Sequence, residues 1–144
     1  MKAEENNLTR FIDAQQADYQ RALAEIQQGR KQSHWMWYIF PQLAGLGLSE
    51  TARFYAIRNL EEARDYLKHP VLGTRLVEIA KALLEIEGKT AHQVLGSPDD
   101  LKLHSSMTLF GLLEHTDPVF QAVLDKYFNG LPDQRTIDLV RAGE

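Results

Sequence analysis

The sequence predicts an all-α fold, a single compact domain of about seven or eight short helices. Apolar residues recur at three- and four-residue spacing through most of the 144 residues. Residues that cap helix N-termini precede many of these segments, and glycines follow them. Segments with strand-like composition are scarce, and none finds a convincing partner. We therefore expect one α-helical domain over residues 1–144, a length typical of a single domain.

The first helix is expected in LTRFIDAQQADYQRALAEIQQG, where Leu8, Phe11 and later apolar residues share one face. Asn7 or Thr9 is the expected cap, and Gly29 follows the last turn.

The next segment, SHWMWYIFPQ, is predicted to be a short helix with an extended exit at Phe40–Pro41. The residue before a proline disfavours the helical region. Its aromatic and β-branched residues also suit a strand, but an isolated buried strand would leave its backbone groups unpaired.

Two further helices are marked by their caps. SETARFYAI begins with Ser49, and NLEEARDYLKH begins with Asn59. Pro70 then interrupts the second helix or opens the next one, VLGTRLVEIAKALLEIEG, which ends at Gly88.

The later helices begin at proline-containing signals. In SPDDLKLHSSMTLFGLLEH we expect Ser97 to cap, Pro98 to take the first helical position and Asp100 to complete a Ser-x-x-Asp box. In DPVFQAVLDKYFNG we likewise expect Asp117 to cap and Pro118 to take the first helical position. DQRTIDLVRA forms a last short helix.

Composition narrows the function classes. Hydrophobic residues make up 44% and charged residues 25%, as in ordinary globular proteins. Cysteine is absent, which excludes disulfides, thiolate metal sites and cysteine nucleophiles. The net charge is −4, so no duplex nucleic-acid partner is expected, although Arg30 and Lys31 form a small basic patch.

No membrane partner is expected either. No apolar run follows the N-terminal lysine as in a signal peptide, and no segment approaches the ~20 apolar residues of a membrane span. We predict a cytoplasmic location. The oligomeric state is left open.

The ring-rich segment SHWMWYIFPQ is the first candidate site. On a helix, His34 and Trp37 fall on one side, whereas Trp35 and Gln42 fall on another, so the two tryptophans diverge. One interpretation makes both rings ordinary core aromatics. The other makes an aromatic wall that stacks a flat ligand, with His34 as the group that exchanges a proton near neutral pH.

The glycine-rich stretch AGLGLS is a weaker candidate. Gly45 and Gly47 precede the helix that Ser49 caps, and backbone N–H groups there can face an anion. A tight interhelical loop is the simpler interpretation. The third glycine of the dinucleotide-binding fingerprint is missing.

The hydroxyl-rich stretch KLHSSMTLF is the third candidate. Ser105, Ser106 and Thr108 either bond back to their own helix or face a pocket. Asp100 and His104 share a helix face and form a candidate Asp–His dyad, although such pairs are more often solvated charges.

No cofactor or metal is expected. The five histidines show no His-x-His or His-Glu-x-x-His spacing, and the serine nucleophile motif Gly-x-Ser-x-Gly is absent.

Four stretches of the sequence resemble the bacterial domain of unknown function 1810 family, and the resemblance runs over about residues 11–139. In chain order they are SHWMWYIFPQLAGLGLS, YAI, YLKHPVLGTRL and KLHSSMTLF. The resemblance implies an α-helical fold and no established activity. Tyr38 stands where the family pattern has phenylalanine. His104 stands at a position that varies in the family, and this variation counts against the Asp–His dyad as a catalytic feature of the family. The pattern falls on Ser33, His34, Trp35, Met36, Trp37, Phe40, Pro41, Gln42, Gly45, Gly47, Ser49, Tyr55, His69, Pro70, Gly73, Ser105, Ser106, Thr108 and Phe110.

Members of this family often carry the label "calpastatin". An inhibitor of that kind is a flexible, proline-rich chain that folds on its target. This sequence has five prolines, mostly at helix starts, and enough apolar residues for a core, so its residues do not support the label.

These observations lead to one preferred hypothesis, a pocket for a small-molecule ligand that is flat and polar, such as a nucleotide or an ADP-ribose-like molecule. His34 is the candidate acid–base residue of a hydrolytic or group-transfer step. The competing hypothesis is a protein–protein interaction module without chemistry, anchored by exposed tryptophans. A third makes every motif residue buried and structural. The expected ligand-binding residues are Arg30, Ser33, His34, Trp35, Trp37, Gln42, Gly45, Gly47, Ser49, Ser105, Ser106 and Thr108.

Overall fold

A computed structural model describes residues 8–143 of the chain, and these residues form an all-α fold, as predicted. The described part contains nine helices, one more than the upper end of the expected number. They are α1 (Thr9–Gln27), α2 (Met36–Ile39), α3 (Glu50–Phe54), α4 (Leu60–Lys68), α5 (Leu72–Leu84), α6 (Ala91–Leu95), α7 (Asp99–Gly111), α8 (Val119–Phe128) and α9 (Gln134–Ala142).

Helix α7 lies at the centre of the fold. It contacts α4, α6, α8 and α9, while α5 packs against α1, α4 and α8. Six consecutive residues of α7, 105–110, are buried, so the helix has little solvent face. The largest fully buried side chains of the core are Trp35, Tyr66, Phe11, Phe40, Phe120 and Phe110, the last of which belongs to α7 itself. Burial of these rings supplies a large part of the apolar area removed from water.

The predicted caps Ser49 and Asn59 are confirmed, and Asp133, for which no cap was predicted, caps α9 in the same way. Ser49, Asn59 and Asp133 each accept a hydrogen bond from the backbone N–H three residues later, at 2.9 to 3.1 Å. Each therefore satisfies one of the free N–H groups at the start of its helix.

The predicted cap of α7 is wrong. The helix begins at Asp99, and the Ser97 hydroxyl donates a hydrogen bond of 2.8 Å to Oδ1 of Asp100 instead of accepting one from the backbone. The same oxygen accepts the N–H of Leu101 at 2.9 Å. Pro98 immediately precedes the helix, and the Ser97–Pro98 peptide bond is cis.

The start of α1 also differs from expectation. Thr9 is the first helical residue, and Leu8, which precedes it, has no side-chain group that caps. The alternative cap, Asn7, lies outside the described residues. Gly29 follows the helix with φ at +83°, a conformation that favours glycine.

Helix α6 was not predicted from the sequence, because its five residues are too few for a periodic pattern to stand out. It nevertheless has a complete capping box. The Thr90 side chain accepts the N–H of Gln93 at 3.1 Å, and the Gln93 side chain accepts the N–H of Thr90 at 2.8 Å.

The ring-rich segment is a short helix with an extended exit at Phe40–Pro41, as predicted. Beyond the exit, Leu43 pairs with Ile57 in one parallel bridge, and the described residues contain no longer strand. The N–H of Ile57 donates to the carbonyl of Gln42, and the N–H of Ala44 donates to the carbonyl of Ile57, both at 2.8 Å. These bonds give the extended backbone the partners it needs.

Candidate functional site

A buried carboxylate organises the loop that carries His34. Glu25 of α1 is buried, and its Oε1 accepts the N–H groups of Gln32 at 2.7 Å and Ser33 at 3.1 Å. The same oxygen accepts the indole Nε1–H of Trp35 at 2.9 Å, and Oε2 accepts the Ser33 hydroxyl at 2.6 Å. Four donors on one carboxylate fix the connection between α1 and α2.

These bonds determine the charge state of Glu25. Burial alone raises the pKa of a carboxyl group, because it penalises the charged form. The hydrogen bonds from Ser33, Gln32 and Trp35 outweigh burial and lower the pKa of Glu25 from 4.5 to about 2. At neutral pH the loop is therefore held by a full negative charge.

The two tryptophans diverge, as their spacing predicts. Trp35 is fully buried and packs in the core near Phe40, with a ring-centroid separation of 6.3 Å. Trp37 is only partly buried and lies at the edge of the core. Only Trp37 therefore has a ring surface available to a ligand.

The ring-rich segment and the hydroxyl-rich helix α7 are in direct contact. Gln42 donates a hydrogen bond from Nε2 to Oγ of Ser105 over 2.7 Å. The Ser105 hydroxyl in turn donates to the carbonyl of Lys102, one turn earlier on α7, at 3.0 Å. This bond joins the two distant stretches on which the pocket hypothesis depends.

A cavity of about 410 Å³ opens beside this junction, and we call it the His34 cavity. Its volume falls in the range typical of small-molecule sites. His34 is exposed, and its imidazole has no hydrogen bond to any other side chain or backbone group among residues 8–143. The residues that line the cavity are Lys31, Gln32, Ser33, His34, Met36, Trp37, Leu95, Ser97, Pro98, Asp99 and Lys102.

Two lysines and one aspartate give the wall of the cavity a net positive charge. Asp99 pairs with Lys31 at 3.0 Å and with Lys102 at 3.4 Å. The ammonium of Lys102 lies 4.9 Å from the ring centroid of Trp37, and that of Lys31 lies 5.0 Å from the ring of Trp35. Both distances are in the range of cation–π contacts, which hold the lysines against the rings.

The hydroxyl groups of α7 do not line this cavity. Ser105, Ser106 and Thr108 are all buried. The Thr108 hydroxyl donates to the carbonyl of His104 and accepts the N–H of Asp133, both at 2.8 Å, so it ties α7 to the start of α9. The Ser106 hydroxyl has no hydrogen-bond partner among the described residues.

The glycine-rich loop and Arg30 also lie outside the lining of the His34 cavity. A side chain on Gly45 would contact Leu139 of α9, and one on Gly47 would lie 2.5 Å from Cβ of Ala52. The loop therefore packs tightly against its own surroundings, with Ser49 as the cap of α3. Arg30 is exposed.

The candidate Asp–His dyad is absent. The imidazole of His104 lies 2.8 Å from the carbonyl of Leu131 through Nε2 and stacks on Phe128 with centroids 4.2 Å apart. Asp100 instead pairs with Ser97 and lies 3.7 Å from His92. Residues four apart on a helix share a face, but each of these found a closer partner outside the helix.

Sequence reasoning missed Glu25, Asp99 and Lys102. An isolated glutamate on an amphipathic helix looks like an ordinary solvent-facing charge, so nothing marked Glu25. Asp99 and Lys102 are three residues apart on α7, a spacing that predicts an ion pair on one helix face. That spacing is the signal that could have drawn attention to these two residues.

Residues 8–143 contain no group of three or more histidine, aspartate or glutamate side chains placed to hold a metal ion. No helix in this range combines the length and the apolar character that a membrane crossing requires.

Comparisons with known proteins give two matches. Residues 5–140 match the family described as "Protein of unknown function (DUF1810)", which is the family suggested by the sequence motifs. Among solved structures, the chain is similar to the conserved hypothetical protein Rv1873 from Mycobacterium tuberculosis. The two are 45% identical, with a TM-score of 0.92 over 94% of this chain and 96% of that one. No curated protein matches the chain.

Proposed function

The chain belongs to the DUF1810 family, and on that premise we propose that it binds a flat, anionic small molecule in the His34 cavity. The ligand class is a nucleotide or an ADP-ribose-like molecule. The observation that supports this most strongly is the position of the Lys102 ammonium, 4.9 Å from the ring of Trp37 in the wall of a 410 Å³ cavity. A cation beside a partly exposed indole suits a ligand that has a phosphate attached to a flat ring.

The charges of the wall favour a phosphate. Lys31 and Lys102 share a single carboxylate, that of Asp99, so one positive charge stays uncompensated. Their side chains are only 8% and 21% exposed, and partial burial makes a charge–charge interaction stronger than it is in bulk water. A phosphate at this wall gains charge-assisted hydrogen bonds from the ammonium groups of Lys31 and Lys102.

The apolar part of the lining favours a ring. Trp37 offers a partly exposed indole, and Met36 and Leu95 complete an apolar floor. A flat aromatic ring that stacks on the indole removes both surfaces from water. In this proposal, any proton transfer at the ligand is carried out by His34, whose exposed imidazole also lines the cavity.

The remaining residues of the expected site take supporting roles in this proposal. Ser105 and Gln42 hold α7 against the ring-rich segment, and Trp35 anchors the loop through Glu25. We do not assign a ligand contact to the others, since none of them lines the His34 cavity: Arg30, Gly45, Gly47, Ser49, Ser106 and Thr108. A cytoplasmic location stays a prediction from the sequence.

The alternative, a protein–protein interaction module, has less support. It needs exposed tryptophan anchors, and Trp35 is fully buried. Trp37 lies in a concave cavity, which suits a small ligand better than the flat surface of a partner.

Isothermal titration calorimetry tests the proposal with AMP, ADP, ADP-ribose and inorganic phosphate. At least one of the nucleotides is expected to bind, and His34→Ala and Lys102→Ala are each expected to weaken its binding by about tenfold. His92→Ala and Lys81→Ala are matched controls, because both side chains are exposed and lie outside the cavity. The proposal fails if no nucleotide binds, or if His34→Ala and Lys102→Ala bind as tightly as the wild type.

A further inference from the structure

We infer that a second cavity, at the corner between α4 and α5, is a binding site for a short apolar peptide with both termini free. This cavity has a volume of about 670 Å³, larger than the His34 cavity, and no residue lines both. Its walls come from the end of α4, the first half of α5 and the connection between α7 and α8. The inference is therefore independent of the proposed nucleotide site.

One wall of this corner cavity is basic. Arg64 and Lys68 are four residues apart on α4, so they share a helix face, and His69 follows at the end of the helix. Nδ1 of His69 accepts the N–H groups of Val71 and Leu72 at 3.1 and 3.2 Å. A neutral imidazole held in this way carries its proton on Nε2, which makes Nε2–H a donor with a fixed orientation.

Another wall of this corner cavity is acidic and comes from the connection between α7 and α8. Glu114 and Asp117 line the cavity there, on either side of His115 and Thr116 in the sequence. Oδ1 of Asp117 accepts the N–H of Val119 at 2.8 Å, so the orientation of this carboxylate is also fixed. Glu114 is exposed.

The apolar part of the lining, which we call the floor, is formed by Leu67, Val77 and Leu113. Its shape depends on a close approach of α4 and α5. A Cβ atom on Gly73 would lie 1.9 Å from the carbonyl oxygen of Leu67, so only glycine fits at this position. The stretch HPVLG therefore contributes two structural features. The His69 side chain accepts N–H groups at the start of α5, and Gly73 allows the close contact between α4 and α5.

This arrangement of charges selects against simple ions. A lone anion attracted to Arg64 and Lys68 is repelled by Glu114 and Asp117, and a lone cation meets the reverse problem. A molecule with a carboxylate at one end, an ammonium at the other and an apolar body between them satisfies both walls and the floor. A short apolar peptide with free termini has this chemistry, with its carboxylate toward Arg64, Lys68 and Nε2–H of His69.

Calorimetry with three peptides tests the inference on the full chain. The probes are Leu-Leu-Leu, its N-acetyl derivative, which lacks the ammonium, and its C-terminal amide, which lacks the carboxylate. We expect Leu-Leu-Leu to bind and each blocked peptide to bind at least about tenfold more weakly. Shifts in the imidazole resonances of His69 and His115 on binding locate the site by NMR.

Two variants separate the walls. Arg64→Gln is expected to weaken the binding of Leu-Leu-Leu until it is no tighter than that of the C-terminal amide. Leu-Leu-Leu is still expected to bind more tightly to this variant than the N-acetyl peptide does. Glu114→Gln is expected to abolish the preference for Leu-Leu-Leu over the N-acetyl peptide and to keep the preference over the amide. Arg135 is an exposed arginine on α9, and Arg135→Gln is the control that is expected to change neither preference. The inference is overturned if Leu-Leu-Leu does not bind at millimolar concentration, if the three peptides bind equally, or if a nucleotide competes with the peptide.

Discussion

Gln42 and Ser105, which are 63 residues apart in the sequence, are joined by a hydrogen bond of 2.7 Å between Nε2 and Oγ. Through this bond the ring-rich segment is held against the central helix α7. The His34 cavity opens beside the junction, and both Trp37 and Lys102 line it, with the Lys102 ammonium 4.9 Å from the ring centroid of Trp37. The hydrogen bond therefore connects the segment that carries His34 and Trp37 to the helix that carries Lys102.

The two neighbouring serines of α7 are expected to respond differently to alanine. Ser105→Ala removes the acceptor of the Gln42 amide and is expected to lower the free energy of unfolding by about 1 kcal/mol. Ser106→Ala removes a buried hydroxyl that has no partner among the described residues, so it is expected to be neutral or slightly stabilising. Urea denaturation of both variants measures the difference, and equal losses would contradict the assigned hydrogen bonds.

Glu25 is expected to be one of the most sensitive positions for stability. Glu25→Ala leaves the indole of Trp35 and the N–H groups of Gln32 and Ser33 without their acceptor. We expect a loss of about 3 kcal/mol in the free energy of unfolding. Glu87→Ala, at an exposed glutamate, is the control and is expected to change it by less than about 0.5 kcal/mol. A small effect of Glu25→Ala in urea denaturation would show that the carboxylate does not hold the loop.

The same carboxylate predicts a pH dependence. The pKa of Glu25 is lowered from 4.5 to about 2 in the folded chain, so the unfolded chain binds the proton more readily. The stabilisation is therefore complete above pH 4.5 and is lost as the pH falls toward 2. The difference in unfolding free energy between the wild type and Glu25→Gln, measured from pH 7 to pH 2.5, is expected to shrink over that interval. A constant difference would mean that the folded and unfolded pKa values are equal.

Two helical glycines provide a matched test of packing. Gly73→Ala is expected to destabilise the fold by about 3 kcal/mol, since the new methyl group would clash with the carbonyl of Leu67. Gly111→Ala meets only Cβ of Phe120 at 3.7 Å and is expected to stabilise α7 by about 0.5 kcal/mol. The midpoint temperatures of thermal unfolding of the two variants should shift in opposite directions. An unchanged midpoint for Gly73→Ala would contradict the close contact of α4 and α5.

The fold was largely predictable from local signals. Side-chain caps such as Ser49 and Asn59 sit where sequence reasoning expects them, because a cap depends on only three or four neighbouring residues. The cap at Ser97 was mispredicted because Asp100 competes for its hydroxyl. Helix α6 was missed because it is short, although its capping box from Thr90 to Gln93 is a readable signal.

The candidate site was predictable only in part. The divergence of Trp35 and Trp37 follows from helical spacing, and the position of His34 beside the rings, where it lines the same cavity as Trp37, was readable from the sequence. Two of the three charged residues of the cavity wall, Asp99 and Lys102, come from α7, whose distance from the ring-rich segment is set by tertiary packing. Glu25 was missed for the same reason, since its four donors become neighbours only when the loop closes over α1.

Tryptophan fluorescence tests the central claim most directly, because the chain has only two tryptophans and only Trp37 faces the His34 cavity. ADP-ribose is titrated into the wild type and into Trp37→Phe, which keeps the buried Trp35 as an internal reference. We predict saturable quenching in the wild type and none in Trp37→Phe. No quenching in the wild type, or equal quenching in both proteins, would contradict a flat anionic ligand stacked in this cavity.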